Sequence, residues 1–427
     1  MTDFVYKNLK DVITRIKVGF VGSVNEFYCD SEAGVPIIRT TDIDDINFGK
    51  LKFVTKEFHE KNKKSQLKNG DLIIARHGDN GNAVIYRHDR SAQVLNAVII
   101  EPDQSKVTSD LLKIFFDSPF IKKQIKGAVK GSVQGVINTQ HVSDLVLNFS
   151  DNINYDFVVR VITNLNRKLE LNNKINAELE AMAKLIYDYW FVQFDFPDEN
   201  GKPYKSSGGK MVYNKDLKRQ IPMGWGAGKL SDFEQKIITG KTPSTNDKNN
   251  FDGDIPFICI GDVRGNMYIT KTEITLTEVG AASQANKFIP KDAICVTCIA
   301  SPGLVAFATL ESQTNQQLNS VVCGKKENRY FLYFYLKNYF KFTKAKMGNT
   351  FANMNKDDFS SILLPYPKDE IVDSFSEKVK SVFESVLLNS QENNLLIELK
   401  NFLLPMLMNG EVTVSEARMK SLLKSNN

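Results

Sequence analysis

The chain has 427 residues, of which 42% are hydrophobic and 25% charged, enough to build the cores of two or three domains. A net charge of +5 permits a nucleic-acid partner without requiring one. The start of the chain lacks the apolar segment of a signal peptide, no apolar run approaches the about 18–20 residues that span a bilayer, and the five cysteines are scattered. We therefore expect a cytoplasmic protein without a membrane partner, rather than a secreted disulfide-rich or membrane-spanning one.

The first predicted domain covers residues 1–150, with strands expected at Asp71–Ala75, Ala83–Arg87 and Ala97–Glu101. Near its end, a stretch without acidic residues runs into a small polar loop and supplies six candidate DNA contacts: Lys122, Lys123, Lys126, Lys130, Ser132 and Gln134. Lysines suit phosphate contact, and exposed Ser and Gln suit hydrogen bonds to base edges. The same pattern also fits a solvated basic helix that ends at a C-cap glycine.

A long helix is predicted next, within residues 151–195, because its apolar residues recur at the alternating steps of four and three that are typical of coiled coils. This seam comprises Val158, Ile162, Leu165, Leu169, Asn172, Asn176, Leu179, Ala183, Ile186 and Trp190. Polar Asn in such a seam favours one register, although a solvated mid-helix patch is the simpler alternative. Residues 196–222 are rich in turn formers and are interpreted as a linker.

The second predicted domain, residues 223–367, repeats the first. The matching segments are Val35–Ile43 with Ile255–Val263 (offset 220), Asn69–Ile73 with Pro290–Ile294 (offset 221), Gln93–Val98 with Gln316–Val321 (offset 223) and Gly131–Asn138 with Gly348–Asn355 (offset 217). Strands are predicted at Ile255–Ile260, Ala293–Ile299 and Val305–Thr309, and a buried aromatic helix at Phe331–Tyr339. Because repeats of this length each form one structural unit, both halves should be α+β domains.

The second domain carries a similar basic run and small polar loop. Lys337 opens the run, and its candidate DNA contacts are Lys341, Lys344, Lys346, Asn349, Thr350 and Asn353. An earlier loop adds Lys241, Thr242 and Ser244, whereas its counterpart at Gly19–Ser23 is much less polar. If both loops contact DNA, the two domains read it differently, and a structural turn is the alternative.

The last predicted region, residues 368–427, holds a second long helix and a tail. Adding 217 to the ten seam positions of the first helix gives the second seam, which includes Asn389 and Asn393. We interpret Asn172, Asn176, Asn389 and Asn393 as residues that fix the helix register.

Several motifs that look catalytic or ligand-binding fail on inspection. Gly240–Thr242 resembles the end of a phosphate-binding loop, but Gln235 stands where that motif needs glycine. Cys295 and Cys298 lie three apart in a predicted strand and so point to opposite faces, which argues against zinc. Amino-methyltransferase and nuclease signatures are missing, so we predict no catalytic residue, no metal and no cofactor.

A family resemblance covers nearly the whole chain. Ile221–Trp225, Ile238–Ser244, Asp254–Ile258 and the ending Leu363–Pro367 look like a target-recognition domain of the specificity subunits of type I restriction-modification systems. Leu165–Pro197 is similar to that family's central spacer. The first half departs from the pattern, since it lacks the Gly-Lys-Thr-Pro-Ser loop and has Leu147–Phe149 where Leu364–Tyr366 stands in the second.

The resemblance implies a fold and a set of partners. The fold would be α+β, with two repeated recognition domains separated by two long antiparallel coiled-coil helices related by pseudo-two-fold symmetry. Each domain would read one half of a split target in double-stranded DNA, and helix length would set the gap. The partners would be two modification subunits, which bind S-adenosylmethionine and methylate adenine, and restriction subunits that use ATP to translocate DNA. The chain itself would be a non-catalytic recognition subunit.

Two other functions remain open at this point. One is a single-chain DNA methyltransferase or nuclease fragment with its own recognition domains. The other is a coiled-coil scaffold or anti-restriction decoy that binds only protein. Methyl transfer by the isolated chain would favour the methyltransferase. DNA affinity that does not change with salt concentration would favour the protein-only scaffold.

Overall fold

The computed structural model describes residues 3–43, 46–76, 81–130, 136–234, 236–347 and 353–412. The chain forms two compact units, of which the first comprises Met1–Lys168 with Ile397–Asn427 and the second Leu169–Leu396. Each unit combines globular residues with parts of both long helices. These units do not correspond to the predicted globular domains, 1–150 and 223–367, because each unit also includes parts of the helices. The predicted domain boundaries therefore stay a prediction.

The first unit contains eleven strands among its described residues: β1 (Val5–Asn8), β2 (Ile13–Val18), β3 (Tyr28–Cys29), β4 (Val35–Ile38), β5 (Lys52–Val54), β6 (Gln66–Leu67), β7 (Leu72–Ala75), β8 (Ala83–Ile85), β9 (Ala92–Val94), β10 (Ala97–Pro102) and β11 (Val146–Phe149). Its short helices are α1 (Lys56–Lys61), α2 (Ser109–Asp117), α3 (Pro119–Lys130) and α4 (Thr139–Ser143). The three strands predicted from the sequence are present, with ends shifted by one or two residues.

Two sheets and one strand pair build this unit, in the orders β2-β10-β7-β8, β3-β5-β4-β9-β6 and β1-β11. β7 and β10 are apolar on both faces because each face is covered, and Ile73 and Ile74 join different clusters of buried side chains. Helix α2 packs Leu112 and Phe115 into the larger cluster, beside the start of the first long helix at Val158.

The first long helix is α5 (Tyr155–Tyr187), which continues as a π-helical turn over Asp188–Val192. The second unit then adds β12 (Met211–Asn214), β13 (Arg219–Pro222), β14 (Gly226–Lys229), β15 (Lys236–Thr239), β16 (Phe251–Ile258), β17 (Tyr268–Ile269), β18 (Ile274–Leu276), β19 (Ile294–Thr297), β20 (Val305–Ala308), β21 (Gln313–Thr314), β22 (Leu318–Val322) and β23 (Leu363–Tyr366). Its helices are α6 (Leu230–Phe233), α7 (Ile260–Val263), α8 (Glu278–Ala282), α9 (Asn328–Met347) and α10 (Lys356–Ser360), and α11 (Asp369–Met408) is the second long helix.

The sheets of the second unit have the orders β15-β22-β19-β20-β17 and β18-β16-β21, with the pairs β14-β23 and β12-β13. The predicted aromatic helix is α9, and Phe331, Tyr333 and Phe334 are fully buried in it. Rings from α9 pack on rings of α11, with Tyr330 and Phe383 centroids 4.2 Å apart. Aromatic side chains bury large apolar areas, so they dominate this core.

Equivalent hydrogen bonds show that the two units share one fold. In both, one sheet contains a parallel strand pair: β4 with β9 in the first unit, where Ile37 lies opposite Gln93, and β16 with β21 in the second, where Phe257 lies opposite Gln313. Gln93 therefore corresponds to Gln313 at an offset of 220, and the sequence match of Gln93 to Gln316 was wrong. The match placed it three residues too far along because it followed the Gln and Leu-Asn letters that recur at Gln316, Leu318 and Asn319.

The two long helices run antiparallel within the second unit. The Asn172 amide donates to Asn393 at 2.9 Å, and the Asn389 amide donates to Asn176 at 2.9 Å. The pairing runs in opposite directions: from Asn172 to Asn176 the residue number rises on α5, while it falls from Asn393 to Asn389 on α11. Adding 217 to Asn172 and Asn176 gives Asn389 and Asn393, so the repeat relates one pair to the other. All ten predicted seam positions of each helix are buried or half-buried.

The region interpreted as a linker is ordered and packed. Phe196 stacks between Tyr204 and Trp225, with ring centroids 4.8 and 5.4 Å away. Residues of β12 and β13 then form an antiparallel hairpin that registers Met211 with Pro222. The segment belongs to the second unit and leads directly into β14.

Candidate nucleic-acid interface

Helix α3 presents the predicted lysines of the first unit to solvent. Ile121 and Ile125 are buried, whereas Lys122, Lys123 and Lys126 are exposed. Spacing of four places the two isoleucines on one face, so the lysines occupy the other. The side chain of Lys130, and Ser132 and Gln134 entirely, lie outside the described residues.

Helix α9 exposes only part of its predicted basic run. Lys341 and Lys344 are exposed, but the Lys337 ammonium contacts the Glu180 carboxylate and lies 3.1 Å from the Tyr333 hydroxyl. Lys337 is thus held in a contact with α5, and it is unsuited to binding phosphate. The Lys346 side chain, Asn349 and Thr350 lie outside the part of the chain that the structure describes.

The predicted loop Gly240–Ser244 lies against the segment between β21 and β22. A Cβ on Gly240 would overlap the carbonyl oxygens of Thr314 and Asn315, so only glycine permits this approach. The backbone N–H of Lys241 donates to Thr314 O at 2.9 Å, and the Thr242 hydroxyl donates to Gln316 Oε1 at 2.6 Å. The side chains of Lys241, Ser244 and Gln316 are exposed.

Further contacts join this loop to others, and we call the whole set the second loop cluster: residues 240–244, 315–317, 298–303 and 353–354. The Cys298 N–H donates to Gln317 O at 2.8 Å, and the Met354 N–H donates to Cys298 O at 2.9 Å. The predicted contact Asn353 is exposed, and its Oδ1 accepts from the Ala300 N–H at 3.4 Å. The cluster also touches the basic helix α9.

That contact with α9 rests on Gly303, which has a φ of +92°. A Cβ there would collide with the Phe340 side chain, which directly precedes Lys341 on α9. The structure thus joins the loops that carry Lys241, Thr242, Ser244 and Asn353, and helix α9, which carries Lys341 and Lys344, packs against them at Gly303. Phosphate-binding cations beside exposed hydrogen-bonding side chains are what sequence-specific DNA contact requires.

The first unit contains the equivalent surface, here called the first loop cluster: residues 19–23, 94–97, 76, 81 and 136–138. A Cβ on Gly19 would overlap Val94 O, and one on Gly81 would overlap Ile125 of α3. Arg76 donates to Ile137 O at 3.0 Å and to Asn96 Oδ1 at 3.2 Å. Val21 at its edge is 65% exposed.

The sequence did not identify Gln316, Arg76 or Arg264 as interface residues. The Arg264 guanidinium donates to the Ser301 hydroxyl at 3.2 Å, which adds another exposed cation to the second loop cluster. Each of these residues is isolated in the sequence and joins the cluster through contacts tens of residues away. Arg76 stands where Cys298 stands in the second unit, because their carbonyl oxygens accept equivalent hydrogen bonds from the N–H groups of Ile137 and Met354.

The side chain of Cys298, whose backbone belongs to the second loop cluster, is buried in the core. Burial raises the pKa of the Cys298 thiol to about 11, so the thiol stays protonated at neutral pH. Cys295 and Cys298 belong to separate core clusters, as their spacing predicted. Within the described ranges, no group of three or more His, Cys, Asp or Glu residues could hold a metal ion. No described helix is both long and apolar enough to cross a membrane.

The long helices carry a second apolar stripe on their solvent-facing side. On α5, Leu171, Met182 and Leu185 are 52%, 46% and 69% exposed. The offset of 217 leads to three apolar residues on α11, which are 64%, 44% and 65% exposed: Leu388, Leu399 and Phe402. Steps of eleven and three return to nearly the same face of a helix, so each helix offers an equivalent line of apolar side chains.

Comparison with known proteins identifies the relatives of this chain. Residues 222–398 match the family described as type I restriction modification DNA specificity domain. The chain is 32% identical over 407 residues to the specificity subunit of the type I restriction enzyme HindI of Haemophilus influenzae, covering 82% of this chain and 88% of that protein. It is 22% identical over 426 residues to a putative type I restriction enzyme MjaX specificity subunit of Methanocaldococcus jannaschii, covering 96% and 94% of the two chains.

A solved structure shares the fold. The crystal structure of the S subunit of a type I restriction-modification system from M. genitalium superimposes with a TM-score of 0.52 at 12% identity, covering 97% of each chain. The fold class predicted from the sequence, α+β with two repeated domains and long helices, is confirmed.

Proposed function

Because the chain belongs to the family of type I restriction-modification specificity subunits, we propose that each of its two globular domains reads one half of a split DNA target. The chain is a non-catalytic DNA-specificity component that acts with DNA and the other subunits of its complex. Because the DNA that such a complex would bind is inside the cell, we propose that the protein is cytoplasmic.

The structural repeat is the observation that carries this proposal. Each unit displays a loop cluster of the same backbone design beside exposed lysines on α3 or α9. Two recognition domains in one chain recognise two DNA sequences. Because the two loop clusters carry different side chains, the two DNA sequences differ. The target should therefore be two short, unrelated parts around an unspecified gap.

For each domain, we divide the proposed contacts by chemistry. The lysines bind phosphates as flexible point charges and so position the domain, whereas polar loop side chains bond base edges and so specify sequence. The proposed phosphate contacts are Lys122, Lys123, Lys126, Lys130, Lys241, Lys341, Lys344 and Lys346. The proposed base-reading loop residues are Ser132, Gln134, Thr242, Ser244, Asn349, Thr350 and Asn353.

The long helices set the gap between the two parts of the target. The 33 residues of α5 make a helix of about 50 Å at a rise of about 1.5 Å per residue. Half-sites one DNA turn apart are separated by roughly 34–36 Å, which such a helix can span. The asparagine pairs Asn172–Asn393 and Asn176–Asn389 fix the helix register and thereby the gap.

We assign the second apolar stripe of each helix to a modification subunit. Exposed apolar side chains at helical spacing fit an amphipathic partner helix, which they would bury. Because the stripe occurs once on α5 and once on α11 in equivalent positions, it fits two copies of the same partner. Restriction subunits would join the assembled complex by binding elsewhere.

The test is the methylation pattern of DNA from a host that carries this chain with or without its modification subunit. Single-molecule sequencing should find a split adenine-methylated motif only when both are present. A continuous motif, or one that persists after this chain is deleted, would show that recognition lies in another protein.

A further inference from the structure

The second loop cluster contains one residue that the first lacks, and its side chain is exposed. Between equivalent backbone hydrogen bonds, Leu95 and Asn96 connect β9 to β10, whereas Asn315, Gln316 and Gln317 connect β21 to β22. Leu95 and Asn96 are both half-buried, but Gln316 is exposed. The inserted residue therefore exposes a polar side chain at a point where the two backbones otherwise correspond.

A neighbouring loop holds that side chain in place. The Thr242 hydroxyl donates to Gln316 Oε1 at 2.6 Å, and Lys241 is tied to Thr314 O at 2.9 Å. This leaves the second lone pair of Oε1 and both protons of Nε2 for an outside partner. An exposed amide whose orientation is already set loses little entropy on binding.

We propose that Gln316 reads an adenine in the half-site recognised by the second domain, with Thr242 as its positioning residue. Gln pairs with adenine through two hydrogen bonds in the major groove, accepting from N6 and donating to N7. The remaining lone pair and the Nε2 protons match that need. In the equivalent loop of the first unit, Asn96 is half-buried and its Oδ1 accepts from Arg76 at 3.2 Å, so this adenine contact is a property of the second domain.

The inference rests on the proposed function, and the experiment separates the two. The complex of this chain with its modification subunits is assayed on duplexes in which each target position carries each of the four base pairs in turn. A wild-type complex without a split target would contradict the proposed function. A wild-type complex with a split target allows Gln316 to be tested.

Gln316→Ala should lower methylation of the cognate duplex by about tenfold to a hundredfold and flatten the base preference at one position of one half-site. Gln316→Glu should move that preference toward cytosine, whose N4 amino group donates to a carboxylate. Gln220→Ala removes an exposed glutamine on the β12–β13 hairpin and should leave every preference as in wild type.

Substitutions of Thr242 distinguish a positioning role from an effect on folding. Thr242→Ser keeps the hydroxyl and should keep the preference, whereas Thr242→Val should weaken it at the same position that Gln316 controls. Thermal unfolding of all variants should match that of Gln220→Ala, because the altered side chains lie at the surface. Base preferences for Gln316→Ala and Gln316→Glu that equal those of Gln220→Ala at every position would overturn the proposal.

Discussion

The two loop clusters share a backbone, apart from one inserted residue in the second, and differ in the side chains that follow their tight glycine. In the first, Phe20 packs on Phe58 with ring centroids 4.9 Å apart, and the apolar Val21 follows it. In the second, the equivalent positions are Lys241 and Thr242, which carry a charge and a hydroxyl to the surface. Conserving a backbone while changing what it displays lets one fold read two unrelated sequences.

The shared backbone depends on two close approaches, and breaking them should have the largest effect. Gly19→Ala and Gly240→Ala each place a methyl group against carbonyl oxygens and should destabilise their own unit by about 1–3 kcal/mol. We expect Gly19→Ala to abolish recognition of one half-site and Gly240→Ala that of the other, as read by the methylated motif.

Matched controls exist in both units. Gly127 and Gly261 have open space where a Cβ would lie, so alanine at either should leave the motif and the stability nearly unchanged. If Gly19→Ala and Gly240→Ala impaired the same half-site, the assignment of one domain to one half would be wrong.

The two asparagine pairs are equivalent in position but not in surroundings. The Asn172 amide is 1% exposed and donates to Glu392 at 2.7 Å as well as to Asn393. Asn172→Leu should therefore cost about 1–3 kcal/mol in denaturant unfolding, and Asn389→Leu, at a half-buried position, about 1 kcal/mol.

Both changes should also loosen the helix register, so that methylation tolerates target gaps one base pair longer or shorter. Asn164→Leu, at an exposed position of the same helix, is the control. An unchanged gap requirement and normal assembly in both variants would contradict the role of the asparagines in register.

The lysine helices should behave alike in the two domains, in contrast to the loops. Lys122→Ala with Lys126→Ala, and Lys341→Ala with Lys344→Ala, should weaken binding of the complex to cognate and unrelated DNA equally. Loss of two phosphate contacts should make the plot of log affinity against log salt shallower by about 1.8.

Lys202→Ala with Lys205→Ala changes two exposed lysines outside the clusters and should leave that slope as it was. Affinity that does not respond to salt in the wild-type complex would instead favour a protein-only scaffold.

The smallest effect is expected where the shared backbone turns into β7 and β19. Gly70 has a φ of +93° there, and Asp292 has a φ of +67°. The two are counterparts because the N–H of Gly70 donates to Tyr86 O and that of Asp292 to Ala308 O, so the sequence match that set Gly70 against Lys291 was wrong by one residue.

Gly70→Ala should cost about 1 kcal/mol in thermal unfolding. Asp292→Gly relieves strain but loses the ion pair to Arg329, so the net change should stay within about 0.5 kcal/mol. Equal losses of unfolding free energy for Gly70→Ala and Asp292→Gly would argue against a turn that the two units share.

Most of the fold could be predicted from the sequence because it follows from local periodicity. The two long helices, their seams and the buried aromatic helix appear where the spacing of apolar residues placed them. Ile260, predicted in a strand, instead begins α7 because the Asp262 carboxylate accepts from the Cys259 N–H at 2.7 Å and caps a new helix.

The candidate site was less predictable because it is assembled by contacts between distant segments. Lys337 is taken out of the basic surface by Glu180, which lies in another helix. Gln316 gains its exposure from an insertion that only the hydrogen bonds of the repeat reveal. The helix lysines were found because charge runs are local, and the loop partners were missed because loop contacts are not.

Exchange of one domain tests the central claim most directly. Residues 225–367 are replaced by the corresponding segment of a relative with a different target, and the methylated motif of the host is sequenced. The account predicts that one half of the motif changes to that of the relative, while the other half and the gap remain. A motif that is unchanged, or one that changes in both halves, would contradict it.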